Sequence, residues 1–239
     1  MKNEKQARAV GKYFAGLRIH AIYASPLLRA YATAEQIQIH QLSDPKPTLV
    51  PSDLLREQHF GDAEGQPFTW SHLLNPARAS SSSPSKGQDK GQRNTKGAYT
   101  PLADRQSRFP NGESSDDVAR RVDNFISEFI IPHVLASLPD YGHQPLNIFI
   151  VSHGIAIAEV IGAFLRREPT HTAPPSESWR GLVNTGWTQL TVSLQVRATL
   201  SNKPCLRWSD IDNGFLIKPL LLLLGSRPRN GRAINCIVS

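Results

Sequence analysis

The residues best suited to chemistry begin with Ser152-His153-Gly154, which closes the apolar run Asn147-Ile-Phe-Ile-Val and opens a second one, Ile155 to Leu165. Ile148 to Val151 is β-branched and aromatic without alternation, the pattern of a strand buried on both faces of a parallel sheet. Ile155 to Leu165 reads as a helix. Ligands of open α/β sheets gather at the carboxyl ends of such strands. The first N–H groups of the next helix favour an anion, so His153 and Gly154 stand where a phosphate can dock. Arg29 follows Ser25-Pro26 by one helical turn, and its planar guanidinium suits bidentate phosphate binding. Glu57, in Leu-Arg-Glu-Gln-His-Phe-Gly, can donate a proton if its pKa is raised. His59 and Glu64 are weaker candidates that fit loop ordering better. Each residue also has a plainer reading: a loop histidine, a surface arginine, an exposed loop acid.

The elements that must position these groups are legible from periodicity. Ala7, Val10, Phe14 and Leu17 recur at helical spacing within Glu4 to Leu17. Ile19 to Ala24 is a short strand, and Ser25-Pro26 predicts a helix start, serine as N-cap, for a helix from Leu27 to about His40. Leu49-Val50 is extended and leads to Leu54-Leu55, followed by a polar loop from Arg56 to Gly65. Pro110 to Asp117 caps a helix with the stripe Val118, Val122, Phe125, Ile126 and Phe129, which Pro132 should end or bend. A further strand runs on from Asn184-Thr-Gly. The order of elements indicates a three-layer α/β/α sandwich with a mostly parallel central sheet.

Composition narrows the function classes. The 239 residues carry a formal net charge of +7, but the excess is local. Lys86 to Arg108 holds six basic and two acidic residues, and Arg227 to Arg232 holds three basic residues and no acidic ones. The remainder is balanced at 18 of each sign, so specific nucleic-acid binding is not expected. Cys205 and Cys236 lie in no metal-type spacing, which fits a reducing, cytoplasmic or nuclear setting. The longest apolar run, Phe215 to Leu224, is broken by Lys218 and Pro219 and is too short to span a membrane. Ala77 to Lys96 is rich in Ser, Gly, Gln and Lys and reads as a disordered excursion. The expected organisation is one domain over residues 1–200, with a low-complexity insertion at 77–108, and an atypical tail over 201–239.

Taken in order, the polar islands resemble the histidine phosphatase, or phosphoglycerate mutase-like, superfamily. Tyr23-Ala-Ser-Pro-Leu-Leu-Arg-Ala-Tyr-Ala-Thr-Ala is similar to its Ser-Pro-x-x-Arg-Ala-x-x-Thr-Ala block, and Leu55-Arg-Glu to its Leu-x-Glu loop. Gly112-Glu-Ser with Val118 and Arg121 is similar to its Gly-Glu-Ser segment, Val151-Ser-His-Gly to its second-histidine block, and Asn184-Thr-Gly to the start of a late strand. The resemblance spans about residues 4–194 and implies metal-free, cofactor-free phosphoryl transfer through a phosphohistidine on a small phosphorylated substrate. It makes Arg29 a phosphate clamp, His153 the second histidine, Glu57 the acid and then base, and Ser25, Gly154 and Asn184 supporting ligands.

The family's first block, a strand followed by Arg-His-Gly that supplies the nucleophile, has no counterpart here. No Arg-His-Gly occurs in the chain, and His20, His40 and His72 stand in other contexts. The expectation is an N-terminally truncated fold in which the strand of His153 has an unpaired buried edge. Loss of a covalent nucleophile costs about 10⁶ in turnover. The expected activity is therefore that of a catalytically impaired phosphatase-like protein, with a non-catalytic phosphate-ligand or protein-binding module on the same scaffold as the alternative. An incomplete product of an active gene is favoured over a shortened relative that binds without catalysing.

Overall fold

The apolar segment before Ser25 forms strand β1 (Ala21–Ala24), buried along its whole length. It pairs in parallel with β2 (Thr48–Pro51) and with β3 (Asn147–Ser152), Ala24 facing Pro51 on one side and Val151 on the other. The computed structural model describes residues 2–66, 102, 104–137, 146–167, 185–195, 205–214 and 232–238. Within these, β6 (Arg232–Val238) lies parallel to β3, with Asn147 opposite Ala233 and Ser152 opposite Val238. Strand β4 (Trp187–Gln195) runs antiparallel between β6 and β5 (Cys205–Gly214). The sheet order is β2-β1-β3-β6-β4-β5. Four neighbouring strands are thus mutually parallel, the mostly parallel α/β sheet expected from sequence.

Two expectations change at this level. Strand β3 has no open edge, because a segment from beyond residue 200 pairs with it. Backbone N–H and C=O groups of a buried strand need partners, and residues 232–238 supply them on the side away from β1. The stretch expected to be an atypical tail therefore contributes β5 and β6 to the sheet. The second change is at Ser25. Helix α2 (Leu28–His40) has Leu27 as its N-cap, and the Ser25 hydroxyl accepts the Leu27 N–H at 3.3 Å instead of capping the first turn.

Side chains alternate across strands, which divides the core into two layers. On one face Ile22, Ala24, Phe149 and Val151 pack with Val10 and Phe14 and with Ala30, Ala34 and Ile37 of α2. Val10 belongs to helix α1 (Lys2–Tyr13), and Phe14 follows it directly. The two helices meet at Gly11, where a Cβ would stand 2.3 Å from the Gln36 carbonyl oxygen. On the other face Tyr23 makes edge contacts with Phe125, Phe129 and His133. These come from helix α3 (Ser115–Phe125), a π-helical turn (Ile126–Ile130) and helix α4 (Ile131–Ala136). Pro132 neither ends nor breaks the run: it sits in the first turn of α4 directly after the wide turn, where its missing N–H costs least. Helix α5 (Gly154–Arg166) is buried from Ala156 through Leu165, as an apolar helix must be. Arg167 ties its end to Asp123 at 2.6 Å.

The chain forms two compact units, Met1–Glu57 with Arg121–Ser239, and Gln58–Arg120. The sheet belongs to the first. In the second, the loop after Gln58 is stitched to residues before α3: Glu113 N–H donates to His59 O at 2.7 Å, and Asp62 N–H to Pro110 O at 3.0 Å. Ala63 and Phe109 are its buried centre, with Phe60 and Leu102 against them. Most of the low-complexity stretch, residues 77–101, lies outside the described residues.

Candidate functional site

Parallel pairing aligns the carboxyl ends of three strands. Ser25 N–H donates to Val151 O at 2.9 Å and Ser52 N–H to Ala24 O at 2.9 Å, extending the ladders past the strand ends. Ser25, the Ser52–Glu57 turn and Ser152-His153 therefore emerge at one edge of the sheet, the position in which open α/β sheets bind ligands. Ser25 and His153 meet there. The Ser25 hydroxyl and His153 Nε2 are 2.8 Å apart, and both residues are fully buried. A hydrogen bond in such a place is short of competing water, so it orients the ring firmly.

Glu57 approaches from the other strand end. Its side chain is half-buried, and its carboxylate accepts the Ala156 N–H at 3.2 Å and the Ile155 N–H at 3.5 Å. Both donors lie in the first turn of α5, which begins at Gly154 with His153 as its N-cap. A helix N-terminus stabilises negative charge, and in this structure the anion at those two donors is Glu57. The chain beside it is open: a Cβ placed on Gly154 would meet nothing within 4 Å.

Arg29 lies in the first turn of α2, three residues past Pro26, and is exposed. Asn184 lies outside the described residues. Its neighbour Thr185 is buried and has φ 63°, an uncommon conformation for a β-branched residue. Because β4 runs antiparallel to β6, with Trp187 opposite Ile237, Thr185 lies at the same sheet edge as Ser152 and His153. His59 and Glu64 order their own loop, as expected: Glu64 accepts the Phe60 N–H at 2.8 Å, and the His59 ring bonds the Asn111 carbonyl at 3.2 Å.

Three other histidines of the sheet-bearing unit are engaged elsewhere. His20 stands at the opposite edge of the sheet, where its Nδ1 accepts the Asn147 N–H at 3.0 Å. The His40 ring bonds Gln36 O at 2.8 Å near the end of α2. His133 shares a 3.0 Å hydrogen bond with the Tyr23 hydroxyl. Burial alone raises the Tyr23 pKa and lowers that of His133. Sequence reasoning missed Thr185 as a strained position, since Asn-Thr-Gly suggests a left-handed residue at Asn or Gly. It also assigned no task to Arg121 or Ser152, both of which bond the loop that carries Glu57.

Comparison with known proteins adds the family context. Residues 2–97 match the model of the histidine phosphatase superfamily, branch 1. The chain is 32% identical over 174 residues to fructose-2,6-bisphosphatase TIGAR B of Danio rerio, covering 64% of this chain and 59% of that protein. It is 30% identical over 165 residues to a 2,3-bisphosphoglycerate-dependent phosphoglycerate mutase of Bartonella bacilliformis, covering 67% of this chain and 66% of that one. The chain thus spans less than two thirds of either relative's length. Among solved structures, a mycobacterial glucosyl-3-phosphoglycerate phosphatase in complex with VO3 superposes with TM-score 0.54 at 23% identity, over 87% of this chain and 83% of that one. At that identity the likeness is one of fold.

Proposed function

The chain belongs to the histidine phosphatase superfamily, and from that premise we propose that it binds small phosphomonoesters at the carboxyl edge of its sheet, with Ser25, Arg29, Glu57, His153, Gly154 and Asn184 as the site. The observation that carries this reading is the buried Ser25–His153 pair, 2.8 Å apart, beside a glutamate carboxylate held at the start of α5. His153 and Ser25 offer hydrogen bonds to the oxygens of a transferring phosphoryl group, and Arg29 a bidentate clamp. In the two-step phosphohistidine chemistry that the family resemblance implies, Glu57 gives its proton to the leaving alcohol oxygen as the phosphoryl group passes to the nucleophilic histidine, and takes one from the water that then hydrolyses the phosphohistidine. The chemistry needs no metal. The relatives named above act on phosphorylated sugars or glycerates by their names, one as a phosphatase and one as a mutase, which favours a small phosphorylated sugar or glycerate as the ligand. A cytoplasmic or nuclear setting completes the reading, supported by the two widely separated cysteines. Among the described residues no helix is long and apolar enough to cross a membrane.

The same reading makes these 239 residues a poor catalyst. No Arg-His-Gly is present, and His20, His40 and His133 are bonded away from His153. Phosphate binding therefore outlasts turnover. Calorimetric titration of the chain with phosphate and with vanadate should give saturable heat, weakened about tenfold by Arg29→Ala and abolished by His153→Ala. Hydrolysis of p-nitrophenyl phosphate should fall about 10⁶-fold below that of a complete relative. Turnover at a relative's rate would overturn the impairment, and absence of heat from folded protein would overturn phosphate binding.

A further inference from the structure

The acid of the proposed site is carried by a segment with almost no ladder bonds of its own. After Ser52 the chain turns through a single 3-10 turn (Asp53–Leu55), closed by Leu55 N–H to Ser52 O and Arg56 N–H to Asp53 O, both at 3.1 Å. The carbonyls of Leu54, Leu55 and Glu57 are left to other partners. Arg121 donates to Leu54 O from Nη1 at 2.7 Å and to Glu57 O from Nη2 at 3.2 Å. Ser152 donates to Leu55 O at 2.6 Å. Three carbonyls within four residues are thus held by two side chains, one from α3 and one from the last position of β3.

Neither contact is incidental. The guanidinium is a rigid planar fork, and here it spans two carbonyls three residues apart, which a lysine ammonium cannot do with the same geometry. Arg121 is half-buried, whereas its neighbour Arg120 is exposed and pairs with Asp117. Ser152 immediately precedes His153, so the strand that delivers the histidine also grips the turn that delivers the acid. With its backbone held on both sides, the Glu57 side chain reaches the N–H groups of Ile155 and Ala156.

We propose that Arg121 and Ser152 are positioning residues for Glu57, holding its backbone so that the carboxylate stays against the first turn of α5 and beside His153. The proposal rests on the reading of Glu57 as the acid of the site. Its test does not depend on turnover.

The amide signals of Ile155 and Ala156 in ¹H–¹⁵N spectra of the full chain report the carboxylate directly, with Glu57→Gln as the reference. Arg121→Ala should displace both signals in the same direction as Glu57→Gln and speed hydrogen exchange at Ala156 about tenfold. Arg121→Lys should restore part of the displacement, and Ser152→Ala should produce a smaller one. The amides of Val10 and Phe14 should stay put. Unmoved Ile155 and Ala156 amides in Arg121→Ala, even with a lowered melting temperature, would reduce Arg121 to a structural role and overturn the proposal. If Arg121→Ala does not fold, Arg121→Lys and Ser152→Ala carry the same readout. Phosphate titration of the unaltered chain separates the two ideas. Heat with unmoved amides sinks the positioning role alone, while moved amides without heat support it and sink the phosphate site.

Discussion

A hydroxyl 2.8 Å from a buried imidazole nitrogen fixes which way the ring faces, and removing it changes both stability and binding. Ser25→Ala should cost about 1–2 kcal/mol in urea unfolding, the usual loss for a buried hydrogen bond, and should weaken phosphate binding in the same protein. Tyr23 and His133 make a second polar pair with a different consequence. Burial lowers the His133 pKa from 6.5, so the unfolded chain binds the extra proton first, and stability should fall as pH drops below about 6.5 toward the folded-state value. Burial raises the Tyr23 pKa from 10.0. That contribution is complete below about 10 and is lost as pH rises through the folded-state value. Thermal melts should therefore show a plateau between those limits, and His133→Phe should flatten the acid side. A melt whose acid limb is unchanged in His133→Phe would contradict this. At this scale the sequence picked out candidate residues by their types, but not that the carboxyl group at the start of α5 is that of Glu57, 99 positions from Ala156.

At the scale of elements, local signals were mostly sufficient. Ser114 and Asp117 form a reciprocal capping box for α3: Ser114 N–H and Oγ donate to Asp117 Oδ2 at 2.9 and 2.8 Å, and Asp117 N–H donates to Ser114 Oγ at 3.1 Å. The backbone bond from Ser114 is the largest influence in taking the Asp117 pKa from 3.8 down to about 2, with the serine hydroxyl, Arg120 and Arg108 adding to it. A depressed carboxyl pKa stabilises the fold above the unfolded value and loses that contribution as pH falls from about 3.8 through about 2. Asp117→Ala should cost about 1 kcal/mol at neutral pH, and the gap between variant and parent should close at pH near 2. Gly61 marks the other local requirement. It has φ 56°, and a Cβ there would lie 2.0 Å from Pro110 O and 2.5 Å from Gly112 N. Gly61→Ala should destabilise the unit Gln58–Arg120 by about 2 kcal/mol or more, seen as faster exchange of the Asp62 and Glu113 amides while β1 and β3 keep their protection. The sequence marked Arg56 to Gly65 as a polar loop, yet the close approach of Pro110 to Gly61 is a long-range contact with no local trace.

At the scale of the molecule, the decisive feature is the slot between β3 and β4. Residues 232–238 fill it, parallel to β3 and antiparallel to β4. Ala233-Ile-Asn-Cys-Ile-Val238 has the β-branched composition of a strand, though its partner could not be read from that. Deleting residues 229–239 would leave β3 and β4 each with an unpaired edge in the middle of the sheet. The truncated chain should unfold without a cooperative transition or aggregate, although the residues of the proposed phosphate site would all be retained. A deletion variant with an unchanged melting temperature would show that β6 contributes nothing to the sheet.

Sequence alone determined the strand, turn and helix around His153, the amphipathic run of α1, the cap of α3 and the family to which their order belongs. These are set by periodicity, turn residues and short motifs, all of which act within a dozen positions. Tertiary structure alone decided which segment lies beside β3, which carboxylate meets α5, which carbonyls Arg121 holds, and that Ser25 serves His153 rather than the end of α2. The physical reason is common to all four. Local patterning reports that a strand edge, a helix N-terminus or a carbonyl must be satisfied, while the partner that satisfies it comes from distant sequence and is chosen by the packing of the whole sheet.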